Sequence, residues 1–102
     1  MEEKKRKSSR TPTLYVATFN IDGGENEELR GVNKAKLLDL VRRTVKDRAG
    51  EGGNGYFEVR KIYTEEERRK LSIPDDINGI VDQRTSLVNG FWKTETPFKE
   101  YF

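Results

Sequence analysis

The chain has no cysteine and no histidine in its 102 residues. The first absence excludes a disulfide framework and any thiolate metal site. The second removes the commonest general base, and the two together remove the usual soft metal ligands. Long hydrophobic runs are missing as well. The longest, LLDLV at 37–41, is broken by Asp39, far short of the roughly 20 apolar residues of a membrane helix and of a secretory leader's core. A soluble, intracellular protein is therefore expected. Charged residues are plentiful, with a single glutamine (Gln83), a composition that suits a thermophilic source.

Net charge is +2, but it is unevenly placed. MEEKKRKSSR at the start holds five bases and two acids, which leaves 15 bases and 16 acids for the rest. A duplex-binding surface works by presenting one sign of charge to phosphates. The body supplies no such excess, so only the arm, through Lys4, Lys5, Arg6, Lys7 and Arg10, could bind nucleic acid. Residues 1–12 are expected to be a flexible basic arm and 13–102 a single compact domain.

Along that domain, TLYVATFNI places Tyr15, Ala17, Phe19 and Ile21 on one face, the period of a strand. After the connection DGGENEELRG, the spacing of Ala35, Leu38, Val41 and Val45 predicts an amphipathic helix capped by Asn33. YFEVRKIY alternates again and predicts a second strand. Thr64 with Glu67 has capping-box spacing, so a short charged helix is expected to start there. From Asp75 the positions of Ile77, Ile80, Leu87, Val88 and Phe91 predict another helix, ended by Asn89 and Gly90.

At an offset of 42 residues these elements fall on one another. The strand at 14–21 meets that at 56–63, and the helix opening at Asn33 meets the one opening at Asp75. The expected fold class is thus α+β, a small domain of two similar strand-helix motifs around a shared core. Motif one is 14–49 and motif two 56–91, joined by a glycine-rich segment at 50–55 and followed by an aromatic segment at 92–102. AGEGGNGY holds four of the nine glycines, as expected of a joint between packed units.

Chemistry is sparsely represented. Asp75, Asp76 and Asp82 could meet a hard cation, yet aspartates after Pro74 read as helix N-terminal charges favoured by the dipole. Gly23 and Gly24 follow a strand without either glycine-rich phosphate signature, so they read as a plain turn. No catalytic residue, metal or cofactor is expected. LYVATF resembles the first aromatic strand of an RNA-recognition motif and GYFEV its second, but Asn54, Phe57 and Glu58 depart from the second signature.

The segment FWKTETPFKEYF carries five of the ten aromatics. Each offers on the order of 150 to 250 Å² for burial, so the segment must dock. Either Phe91, Trp92 and Phe98 close their own core, or part of the segment packs on another protomer or lines a partner site. From MEEKKRKSSRTPTLYVATFNIDGG to FWKTETPFKEYF the chain resembles the orphan proteins of Acidianus filamentous viruses, which infect hyperthermophilic archaea. The resemblance implies a viral protein of the infected host's cytoplasm with no assigned enzymatic activity, and it transfers no catalytic residue.

The function expected from these residues is non-enzymatic binding of a peptide or protein partner in a cleft between the motifs. Tyr56, Phe57, Tyr63 and Trp92 would line it, and Gly53 and Gly55 would let the partner's backbone approach. The alternative is a nucleic-acid accessory protein using the arm. No membrane is expected as a partner, and monomer and dimer both stand open.

Overall fold

A computed structural model of the chain describes residues 12–102, so the arm and its five basic residues lie outside the described residues. The alternating stretch at the start forms β1 (Leu14–Ile21), followed by β2 (Glu27–Gly31) and α1 (Lys34–Ala49). Then come β3 (Gly55–Ile62), α2 (Glu65–Leu71), β4 (Gly79–Val88) and β5 (Phe91–Glu95). All five strands form one antiparallel sheet in the order β2-β1-β3-β4-β5. The α+β class is as expected.

The core lies between α1 and one sheet face. Ala17 and Phe19 of β1, Phe57 and Val59 of β3 and Leu87 of β4 are buried against Leu37, Val41 and Val45 of α1. Burying each such aliphatic or aromatic side chain contributes about 1.5–3 kcal/mol. The helix starts where expected, with Asn33 Oδ1 accepting from the Lys36 amide at 3.0 Å. Its buried stripe runs through Leu37 rather than Ala35, which is exposed. The short helix α2 carries the expected capping box between Thr64 and Glu67.

Two expectations need correction. The segment at 75–89 is not a helix. Residues 75–78 form a loop held by the Arg68 guanidinium, which donates to the carbonyls of Pro74, Asp75 and Ile77, and the strand β4 follows. Its buried positions alternate as Val81, Gln83, Thr85 and Leu87, with charges on Asp82 and Arg84 between them. Asp75 and Asp76 are therefore loop residues, whereas Asp82 lies on β4 and pairs with Lys34 at 2.9 Å. Asn89 and Gly90, both at positive φ, form a two-residue hairpin turn into β5 rather than a helix end.

The second correction follows from the first. Residues 14–49 run strand, strand, helix, whereas 56–91 run strand, helix, strand. The offset of 42 therefore carries no common unit. The glycines connect α1 to the central strand β3: Gly50 and Gly52 adopt positive φ after the helix, where side chains are disfavoured. Gly23 behaves as the plain turn expected, with the Gly24 amide donating to Ile21 at 2.9 Å.

Candidate functional site

The residues expected to line a cleft are not gathered in one place. Phe57 is fully buried and meets Trp92 edge-on, ring centroids 5.9 Å apart. Tyr56, its neighbour on β3, points to the opposite face beside Glu58 and Arg84; burial and then the Glu58 carboxylate hold its hydroxyl above the ordinary tyrosine value. Tyr63 follows the end of β3, near Lys61. Trp92 is half-buried on β5, with the Arg42 guanidinium 5.7 Å from its ring centre.

Gly55 has a packing reason to lack a side chain. A Cβ there would lie well inside contact distance of Val45 Cγ1, so its absence lets α1 settle on β3. A Cβ on Gly53 would run into the Ala49 carbonyl. Both glycines serve the chain's own backbone.

The sheet face turned away from α1 is charged but internally paired. Glu58 accepts from Arg60 and Arg84, each at 2.8 Å. Arg84 also grips Glu100 with both terminal nitrogens, which hold that carboxyl below its usual range. Arg60 stacks on Phe102 at 4.5 Å, and Arg30 pairs with Glu28. With positive and negative groups alternating, the face presents no single sign of charge to a polyanion.

A different site stands at the opposite sheet edge. Arg30, Gly31, Val32, Lys36, Leu37 and Leu40 surround an open hollow of about 330 Å³ between β2 and the first turns of α1. Val32 immediately precedes the N-cap and Leu37 is the fourth helical residue, the two positions of a hydrophobic staple. Val32 nevertheless stays 58% exposed and Leu40 44% exposed. The floor is low because Gly31 has no side chain.

Main-chain geometry points the same way. The Asp22 amide donates to the Asn54 carbonyl at 3.0 Å, which directs the even-numbered residues of β1 toward β3 and the odd-numbered ones toward β2. With Ala17 opposite Leu29, Leu29 and Gly31 face β1, and Glu28 and Arg30 turn their N–H and C=O groups outward. Sequence reasoning missed this site because β2 was hidden in an acidic connection. Leu40, an apolar residue off the buried stripe, was the signal available.

The structure defines a small α+β protein in which one long helix backs a five-stranded antiparallel sheet. No protein family, curated protein or solved structure matches the chain.

Proposed function

We propose that this is a non-enzymatic interaction protein that captures an extended segment of a protein or peptide partner along the outer edge of β2. The segment adds as a further strand, bonding to the main chain of Glu28 and Arg30, while alternate side chains enter the hollow between β2 and α1. One observation carries this reading: an apolar hollow lies directly beside outward-facing main-chain donors and acceptors. Lys36 at its margin favours an acidic residue next to the apolar anchor. The resemblance to orphan viral proteins makes a viral or host protein of the infected cell the partner we propose.

Panning a random peptide library against the full chain tests this. Enriched peptides should alternate apolar and polar residues and include an acid. They should lose at least about tenfold in affinity on Gly31→Leu or Leu40→Glu. Gly31 has no positive φ, and an added Cβ would meet only Leu37, at 3.8 Å, so the leucine fills the hollow without breaking the fold. Peptides that bind parent and variants equally would contradict the reading.

A further inference from the structure

The second free edge of the sheet is β5, and its sequence is complementary to itself. The two-residue turn at Asn89 and Gly90 makes Val88 and Phe91 a hydrogen-bonded pair. With Ser86 opposite Lys93 and Arg84 opposite Glu95, the backbones of Phe91, Lys93 and Glu95 face β4. Trp92 and Thr94 therefore turn their N–H and C=O groups outward. Among the described residues, no other main chain bonds to them.

The geometry points to a homodimer in which β5 of one copy pairs antiparallel with β5 of a second, about a two-fold axis at Thr94. In that register Thr94 exchanges main-chain bonds with its counterpart, and Trp92 pairs with Thr96 of the second copy. Lys93 lies opposite Glu95 of the second copy and Glu95 opposite its Lys93, at close non-hydrogen-bonded positions where opposite charges attract. Neither residue has an ion-pair partner among the described residues. Centring the axis one residue earlier would set Lys93 against Lys93 and lose main-chain bonds.

The same register accounts for the most exposed aromatic within a strand. With the backbone kept extended through Pro97, two residues past the end of β5, Phe91, 77% exposed, comes opposite Pro97 of the second copy, at a position where the missing donor of proline is not needed by the partner. The two-fold axis stands perpendicular to the sheet, so the dimer has ten continuous strands with both α1 helices on one face. The interface is isologous. A single strand edge buries less than a standard interface of about 1,600 Å², the size class of weak, reversible association.

Sedimentation equilibrium of the full chain from about 10 µM to about 1 mM reads this directly. The parent should show a monomer–dimer equilibrium. Lys93→Glu and Glu95→Lys should each weaken it by at least about tenfold, since each sets two like-charged pairs across the axis. An equimolar mixture of the two variants should recover association as a heterodimer, and the double variant should recover it alone. Both positions are exposed, and unchanged melting temperatures will show that the variants fold. A parent that stays monomeric, single variants that associate like the parent, or a mixture that fails to associate would each overturn the proposal.

Discussion

Replacing Gly55 by alanine tests whether that glycine serves the packing of α1 on β3. The added Cβ would sit against Val45 Cγ1, with Asn20 O at 3.4 Å and Ile21 Cδ1 at 3.7 Å as its further neighbours. Carbon atoms rest about 3.5 to 4.0 Å apart, so only the Val45 contact is prohibitive. Val45 is fully buried and β-branched, hence stiff at χ1 in a helix. The helix must therefore move, at a cost of about 1–3 kcal/mol. Because Gly55 has no positive φ, the lower entropy of the unfolded alanine chain returns about 0.4–1 kcal/mol. A net loss of up to about 2.6 kcal/mol follows, centred on about 1 kcal/mol, or about 4–8 °C in melting temperature at that centre.

Val45→Ala removes the colliding methyl. Alone it should cost about 1.5–3 kcal/mol of burial. Combined with Gly55→Ala it should cost less than the sum, with a coupling of about 1 kcal/mol. Urea unfolding followed by the fluorescence of Trp92, which packs on Phe57, measures all four proteins. Strictly additive losses would refute the contact, and a harmless Gly55→Ala would return that glycine to the role of admitting a partner.

Three further outcomes are expected. Phe57→Ala should lower stability by about 3–5 kcal/mol in the same assay, whereas Tyr56→Ala, on the half-exposed face, should cost far less; similar losses would refute the assignment of the two faces. Thr64→Ala breaks the reciprocal capping box of α2 and should cost about 1 kcal/mol, read as a shift of about 4–8 °C on melting. Burial pushes the Glu67 carboxyl up, but the Thr64 amide and Lys61 outweigh it, so its pKa lies below the ordinary value of 4.5. That stability is present above pH 4.5 and fades as pH falls through the lowered value. Lys61→Met should therefore flatten the acid limb of the stability profile, and an unchanged limb would show that the pair contributes nothing.

Much of the fold was legible where local pattern and packing agree. β1, α1, β3 and the capped helix α2 follow from alternation, a 3.6-residue stripe and caps. The misreading at 75–89 has a definite cause. Ile77, Ile80, Leu87, Val88 and Phe91 can be set on a helical wheel, yet Val-Asn-Gly-Phe at 88–91 is the pattern of a two-residue hairpin turn. β-Branched Ile80, Val81, Thr85 and Val88 favour a strand as well. β2 was obscure for another reason: in Glu27–Gly31 only Leu29 turns an apolar side chain inward, as suits an edge strand. The tail illustrates a third limit. Trp92 joins the core, but Phe91 and Phe98, expected to close it as one alternative, are 77% and 87% exposed, and what docks is the end of the tail, with Tyr101 opposite Ile80 and Phe102 bonded to Gly79.

The central claim, that the edge of β2 receives an extended partner, is tested most directly by amide hydrogen exchange read residue by residue. Spectra would be taken with and without the best peptide from the panning experiment. Glu28 and Arg30, whose amides point outward in the free protein, should slow by at least about tenfold at saturation while Leu29 and Gly31 change little. Protection of Trp92 and Thr94 instead, or none on β2 while the peptide remains bound, would contradict the account.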